Sequence, residues 1–390
     1  MVVIKSVSAK TVLDSRKEKT ILVSIKTSNG KFSASAPNGK SRGKAEKNPY
    51  KKSLEKDIEA LKKFSEYFTE DIIENFNDLR RIEDIVDGHI GANTVFALES
   101  AVLKALAKEK KKEIWELINS RAKRFPRLVG NAVGGGKHSK GIEGKKPDFQ
   151  EFLLIPETRS PEESFKINKE VRERIGEALK KTDEDFSKKI TDENAWLTSL
   201  NDKEVLEILK TFDPKIEIGL DVAASSFYKR KKYNYQNPRL QRTAEEQKGY
   251  IGNLIKNFSI LYIEDPFEEE DFKSFSSLAK AFPNSLIVGD DLIATNFKRL
   301  EKALKTNSVN AIIVKPNQIG SLMEVKKVCE LAKKKKIKIV FSHRSGETNE
   351  SILADLAFGF QADFFKCGIV GKERESKIKR LIEIEKSLSK

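Results

Sequence analysis

Reactive side chains stand at the ends of four short apolar segments in the second half of the chain. They are Asp221 after IEIGL, Glu264 after LYI, Asp290 after LIVG and Lys315 after AIIV. Apolar, β-branched runs of this length are typical of strands buried on both faces of a sheet. The ends of such strands meet at one rim of a parallel sheet, so we expect the three carboxylates and the lysine to converge there.

Three carboxylates held close together repel one another strongly unless a cation lies among them. All-oxygen coordination suits Mg²⁺, so Asp221, Glu264 and Asp290 are predicted to bind it. A single acid at a strand end more often caps a helix or pairs with a surface lysine. Three acids at matching strand ends favour the metal site.

Lys315 has the sequence context of a catalytic base rather than that of a surface lysine. It follows the apolar run 311–314 and precedes Pro316, which is a poor context for a solvated helix face. Divalent cations and other positive groups nearby would lower its pKa, and the neutral amine could then accept a proton.

Alternating strands and helices must position these residues. Strand patterns recur from residue 150 onward with helical patterns between most of them, and over about 250 residues this alternation predicts a β/α barrel. Successive side chains of a strand face opposite ways, which predicts that Ile339, Phe341 and His343 share the face directed to the barrel interior.

The beginning of the chain is organised differently. Its first 40 residues alternate as strands do, and Asn29-Gly30 is a strong hairpin signal. Helical periodicity then runs from about Ser53 to Ile118. We predict an α+β N-terminal domain, a three-stranded antiparallel sheet plus helices, over residues 1–126, followed by an α/β barrel domain over residues 127–390.

The composition is that of a soluble globular protein. Of 390 residues, 38% are hydrophobic and 34% are charged, and no apolar run approaches the roughly 20 residues that span a bilayer. The N-terminal sequence lacks the features of a signal peptide, and the only cysteines are Cys329 and Cys367. We therefore expect a cytoplasmic protein with no membrane partner.

Basic residues exceed acidic residues by 15, with 74 Lys and Arg against 59 Asp and Glu. A basic surplus can indicate a nucleic-acid partner. Here the lysines are scattered through helical patterns and interleaved with glutamates, as on a solvated surface. A nucleic-acid partner is therefore not expected, although the charge favours anionic substrates.

Several motifs resemble those of the enolase family and occur in the same order. They are GLDVAASSFY from Gly219, IEDPF from Ile263, GDDL from Gly289, KPNQIG from Lys315 and SHRSGET from Ser342. VLDSR from Val12 and GAN from Gly91 resemble segments of the family's N-terminal domain. The resemblance covers nearly the whole chain and implies an enolase-type barrel with phosphopyruvate hydratase activity, a hydro-lyase reaction of glycolysis.

The resemblance also implies catalytic and binding roles. Lys315 would remove the C2 proton of 2-phosphoglycerate, and Glu193, with Glu151 beside it, would help the C3 hydroxyl to leave as water. The residues that would contact the substrate are His138, Gln150, His343, Arg344, Ser345 and Lys366.

Two Mg²⁺ ions per active site are implied by the same resemblance. Asp221, Glu264 and Asp290 would hold one ion, and Ser41 would help to bind the second as its loop closes over the substrate. The two Mg²⁺ ions, bound to the substrate carboxylate, would stabilise the negative charge of the ene-diolate intermediate.

Departures from the family lie beside the predicted site. The family has two glycines after the catalytic glutamate, where this chain has Asn194 and Ala195, so we expect that loop to sit differently. Lys40 and Arg42 flank Ser41 where the family has smaller, neutral residues. An insertion, KGIEGKKPDF, also lengthens a nearby loop.

Two alternatives to a standard enolase follow from these departures. One is a related enzyme that removes a proton beside a different carboxylate, against which the retained phosphate pair Arg344 and Ser345 argues. The other is an enolase-derived paralogue with weak catalysis that binds RNA or other anionic partners, against which the complete catalytic set argues. The family commonly forms dimers or larger rings, so a homo-oligomer is expected.

Overall fold

The computed structural model describes residues 1–40, 42–70, 72–139, 144–213 and 215–389. Within them the chain forms an α+β region and then a barrel. The strands of the first region are β1 (Val2–Val3), β2 (Ser6–Leu13), β3 (Lys19–Thr27), β4 (Gly30–Ser35) and β5 (Ile72–Ile73). Strands β2, β3 and β4 form the predicted three-stranded antiparallel sheet, and β1 pairs with β5.

Four helices belong to this region. They are α1 (Leu54–Phe64), α2 (Leu79–Val86), α3 (Ala92–Lys110) and α4 (Ile114–Asn119). Helices α1 and α3 pack against the sheet, and α2 and α4 pack against α3. Helix α3 packs against β3 and β4 on one side and against residues 316–319 on another. Asn93 at its start accepts a hydrogen bond from Asn317 (2.9 Å) and donates one to the carbonyl of Pro37 (3.0 Å). The N-terminal region therefore supports the segment that follows Lys315.

The larger part of the chain is a closed barrel with short strands inserted between its members. The strands are β6 (Arg127–Gly134), β7 (Glu151–Pro156), β8 (Trp196–Leu197), β9 (Ile216–Asp221), β10 (Tyr228–Lys229), β11 (Lys232–Gln236), β12 (Arg239–Arg242), β13 (Tyr262–Glu264), β14 (Leu286–Gly289), β15 (Ala311–Val314), β16 (Lys338–Ser342) and β17 (Phe364–Lys366). Strands β6, β7, β9, β13, β14, β15, β16 and β17 pair in that order, and β17 pairs with β6 to close the ring. The predicted barrel is confirmed.

Helices connect most of the barrel strands. They are α5 (Pro161–Thr182), α6 (Asp202–Leu209), α7 (Ala244–Phe258), α8 (Phe272–Ala281), α9 (Phe297–Lys305), α10 (Pro316–Ile319), α11 (Leu322–Lys334), α12 (Ile352–Gly359) and α13 (Lys372–Leu388). A layer of buried apolar residues joins these helices to the outer face of the strands.

Strand β7 departs from the uniformly parallel sheet that the strand ends suggested. It runs antiparallel to both β6 and β9, and all other neighbouring pairs in the ring are parallel. Its first residue, Glu151, therefore lies opposite Asp221, the last residue of β9. The reversal brings the start of one strand to the rim where the other strands end.

The barrel interior is filled by a separate apolar cluster. Its buried members are Val129, Leu153, Ile155, Tyr262, Val288, Ala311, Ile313, Val340 and Phe364. The predicted face of β16 was wrong, because Val340 points inward while Ile339 and Phe341 pack in the outer layer. The parallel register explains this, since Val340 pairs with the inward-facing Ile313.

Candidate active site

The predicted reactive residues converge at one rim of the barrel. Asp221 and Glu264 end β9 and β13, and Asp290 and Lys315 directly follow β14 and β15. A single cavity there contains most of the predicted site. It is lined by Gly39, Lys40, His138, Gln150, Glu151, Glu193, Asp221, Lys315, Ser342, His343, Arg344, Ser345 and Lys366.

Two lysines, the buried Lys366 and the partly buried Lys315, pair with the three strand-end carboxylates. Lys366 Nζ lies 2.9 Å from Asp221 Oδ2 and 2.8 Å from Glu264 Oε2, and Lys315 forms a close ion pair with Asp290. Burial disfavours the ammonium form of Lys315, but the Asp290 carboxylate outweighs this and raises its pKa. The lowering expected beside divalent cations concerns the metal-loaded site and stays a prediction.

The carboxylates nevertheless offer the donors that Mg²⁺ prefers. Glu264 Oε1 is buried and has no hydrogen-bond partner among the described residues, and burial together with Asp221 raises the pKa of Glu264 to about 8. Both observations mark a carboxylate whose charge is under-compensated, so these residues fit a cation. Among the described residues, the three acids whose ligand atoms lie within 4.8 Å of one another are Asp265, Asp290 and Asp291 rather than the predicted trio.

A second cluster unites His138, Glu151 and Glu193. One ligand atom from each lies within 4.8 Å of the other two, and His138 Nδ1 is 3.7 Å from Glu151 Oε1 and 3.8 Å from Glu193 Oε2. Burial and the Glu193 carboxylate raise the pKa of Glu151 well above its usual range. Burial would also raise the pKa of Glu193, but His138 and His343 hold it well below that range. The shifts favour the protonated form of Glu151 and the ionised form of Glu193.

His343 faces the ionised member of this pair. Its Nε2 lies 3.5 Å from Glu193 Oε2, and Asn131 Nδ2 donates a hydrogen bond to the same oxygen (3.4 Å). Burial lowers the pKa of His343 to about 4. The imidazole of His343 is therefore neutral near pH 7. It can orient the Glu193 carboxylate without neutralising the charge of that carboxylate.

Arg344 and Ser345, which we predicted to bind the phosphate, lie in the loop that follows β16. Both terminal nitrogens of Arg344 are 3.0 Å from Glu46 Oε2, and both side chains are 4% exposed. Ser345 Oγ accepts hydrogen bonds from the backbone N–H of Lys40 (2.9 Å) and from Arg16 (3.1 Å). Arg344 is thus paired with a carboxylate, and a phosphate bound here would compete with Glu46 for its guanidinium.

Two family models together match almost the whole chain. The N-terminal domain of enolase matches residues 4–118, and the C-terminal TIM barrel domain of enolase matches residues 123–390. The chain belongs to the enolase family.

Individual enolases match it over most of their length. The enolase of Thermoplasma acidophilum is 34% identical, with 99% of each chain covered, and that of Archaeoglobus fulgidus is 32% identical, with 100% of this chain and 98% of the relative covered. The enolase of Pyrobaculum aerophilum is 35% identical over 87% of this chain and 82% of the relative. Enolases are hydro-lyases, so the enzyme class predicted from the motifs is confirmed.

Asn194, which stands where we noted the first glycine of the family's pair, has a backbone conformation that glycine adopts easily. Asn194 has a φ of 63°, in the left-handed region that asparagine tolerates better than most residues. Its side chain donates to the carbonyl of Val370 (3.2 Å), and Arg172 donates to its carbonyl (2.8 Å). Asn194 therefore supplies the unusual backbone conformation, while Ala195 needs none.

Sequence reasoning missed three residues that support the site. Arg374, 1% exposed, donates to the carbonyls of Arg344 (2.6 Å) and Ser345 (2.7 Å), and Glu46 and Asn131 make the contacts described above. Arg374 and Glu46 lie in strongly charged stretches typical of a solvated surface, and Asn131 is an ordinary polar residue in a strand. No local pattern distinguishes them.

Ser41, predicted to contribute to a second metal site, lies outside the described residues. Its neighbours Lys40 and Arg42 are described, and Lys40 lines the cavity. None of the helices that the structure describes is both long and apolar enough to span a bilayer.

Proposed function

We propose that this enolase-family chain catalyses the reversible, Mg²⁺-dependent dehydration of 2-phosphoglycerate to phosphoenolpyruvate in glycolysis and gluconeogenesis. The observation that carries the proposal is the cavity that Lys315, the Glu151–Glu193 pair and Arg344 line together. It combines an amine, a carboxyl pair with opposed pKa shifts and a guanidinium that could bind a phosphate, which are the groups that this reaction requires.

Lys315 is the base in this proposal. It must be a neutral amine to accept a proton, so Mg²⁺ bound to Asp290 would have to take up the carboxylate charge that raises the pKa of Lys315. Lys315 accepts the C2 proton, and the Glu151–Glu193 pair gives its proton to the C3 hydroxyl, which leaves as water. Lys315 then releases its proton to solvent and the pair takes one up, which restores the starting state. Arg344, Ser345, His343, Lys366, His138 and Gln150 would hold the phosphate and carboxylate ends of the substrate.

The metal ligands of the proposal are Asp221, Glu264 and Asp290, with Ser41 contributing to a second ion. Bound there, Mg²⁺ would supply positive charge opposite the substrate carboxylate, whose negative charge grows as the C2 proton leaves. Gln150 Nε2 donates to Asp221 Oδ2 (3.3 Å) and Tyr262 Oη donates to Glu264 Oε2 (2.7 Å). These contacts orient two of the three carboxylates.

The proposal extends to the organisation of the protein. It places the domain boundary near residue 126, the protein in the cytoplasm and the chain in a homo-oligomer of two or more copies. Light scattering on the purified chain measures its mass in solution, and a monomer would contradict the last point.

One assay tests the main proposal. Phosphoenolpyruvate formation from 2-phosphoglycerate is followed by absorbance with Mg²⁺ and with a chelator, for the wild type and for Lys315→Ala. We expect activity only in the wild type with Mg²⁺. Absence of Mg²⁺-dependent activity in a folded wild type would rule out the proposed reaction.

A further inference from the structure

Lys40 makes an ion pair with Asp192 across the mouth of the cavity. Lys40 Nζ lies 2.6 Å from Asp192 Oδ2, and the two side chains are only 17% and 14% exposed. A charge-assisted contact of this length in partly desolvated surroundings is stronger than an exposed surface pair. The pair therefore constrains both segments that carry it.

Each end of this pair is attached to a different part of the site. The backbone N–H of Lys40 donates to Ser345 Oγ (2.9 Å), next to Arg344. Asp192 directly precedes Glu193, its carbonyl accepts a bond from Arg374 (3.4 Å), and its Oδ1 lies 4.0 Å from His138 Nδ1. Lys40 thus connects the phosphate side of the cavity to the acid side.

We propose that Lys40 is a positioning residue, whose ion pair with Asp192 fixes the loop carrying Glu193 for the departure of the C3 hydroxyl. The inference rests on the proposed function. Lys315, the base, belongs to a different strand end and makes its ion pair with Asp290. Loss of the Lys40 pair should therefore impair departure of the hydroxyl more than removal of the C2 proton.

Lys44 provides a matched control in the same part of the chain. Its ammonium also pairs with acids, Glu268 (3.0 Å) and Glu269 (3.6 Å), but its side chain is 66% exposed and these acids lie outside the cavity. Lys44→Met removes the same charge from the same region without touching Asp192.

The test compares dehydration with exchange of the C2 hydrogen for solvent deuterium, on the full chain with Mg²⁺. We expect Lys40→Met and Asp192→Asn each to lower kcat for dehydration about tenfold or more while exchange falls less than about threefold. Lys40→Arg should recover part of the rate, and the double variant should be no slower than the slower single variant. Lys44→Met should match the wild type.

Three outcomes would overturn the inference: an unchanged kcat in Lys40→Met, an equal fall of dehydration and exchange, or single effects that multiply in the double variant. Limited trypsin digestion gives a readout that needs no activity, because Asp192→Asn should expose the bond after Lys40 to faster cleavage and Lys44→Met should not. An inactive wild type would reject the proposed function, and unchanged cleavage in Asp192→Asn would reject the ion pair as a constraint.

Discussion

Glu151 and Glu193 form a carboxyl pair beside His138 whose pKa values shift in opposite directions. Burial and mutual repulsion favour the protonated form of Glu151, while two imidazoles face Glu193 and favour its ionised form. Opposed shifts of this kind let two chemically identical groups take different roles at one pH.

The first prediction separates these acids from the base. In Glu193→Gln, dehydration should fall about 10²- to 10⁴-fold, because the Glu193 carboxylate that raises the pKa of Glu151 is gone and Glu151 no longer keeps a proton for the C3 hydroxyl. Exchange of the C2 hydrogen with deuterated solvent should persist, since Lys315 is intact, and NMR of recovered 2-phosphoglycerate measures it. Lys315→Ala should lose both reactions; exchange that survives in Lys315→Ala would assign the base elsewhere.

The second prediction concerns the guanidinium of Arg344. A Cβ on Gly39 would overlap its terminal nitrogen, so Gly39→Ala should displace the end of this side chain from its position beside Glu46. We expect KM for 2-phosphoglycerate to rise about tenfold. Gly249→Ala in α7, where a Cβ meets nothing within 4 Å, is the control and should retain the wild-type KM. A normal KM in both variants would show that Arg344 does not hold the phosphate.

The third prediction concerns a buried ion pair between the loop that follows β16 and helix α13. Lys377 Nζ lies 2.8 Å from Glu347 Oε2, and both side chains are 2% exposed. Lys377→Met leaves a buried carboxylate without its cation, so the free energy of unfolding should fall by about 3–5 kcal/mol. Denaturant titration measures it. Adding Glu347→Gln should restore part of the loss, whereas a further loss in the double variant would argue against charge as the cause.

The fourth prediction uses Asp202, a buried acid at the start of α6. It accepts a hydrogen bond from the backbone N–H of Phe149 (2.9 Å), and burial raises its pKa to about 8. The unfolded chain releases this proton near pH 4, so between about pH 4 and pH 8 the folded state holds a proton that the unfolded state has lost. Stability from this group is therefore present at low pH and falls as pH rises through that range.

Asp202→Asn keeps the acceptor and removes the titration. Relative to the variant, the wild type should lose about 1 kcal/mol of unfolding free energy per pH unit between pH 5 and pH 7. Urea titrations at pH 5, 6, 7 and 8 measure the difference. A difference that does not change with pH would mean that Asp202 is ionised throughout.

Much of the site was predictable because its signals are local. Asp221, Glu264, Asp290 and Lys315 each end an apolar run, and the alternation of strands and helices sends such ends to one rim. The Asn29-Gly30 pair likewise predicts the hairpin between β3 and β4, because the turn conformation that it favours depends on two adjacent residues.

Other features depend on contacts between distant residues and left no local signal. Arg374 donates to carbonyls about thirty residues away in sequence. Glu46, in the N-terminal α+β region, pairs with Arg344, which follows barrel strand β16. The inward face of β16 follows from its register with β15, which the alternation of its own residues could not reveal.

The sequence by itself determined the family, the barrel and the convergence of three carboxylates and a lysine at its rim, because these depend on residue type and on short-range order. Only the tertiary structure decided that β7 runs antiparallel and so brings Glu151 opposite Asp221. It also decided that the pKa of Lys315 is raised by Asp290 and that the pKa values of Glu151 and Glu193 shift in opposite directions. These properties arise from burial and from charges a few ångströms away, and both are set by how the folded chain brings distant residues together.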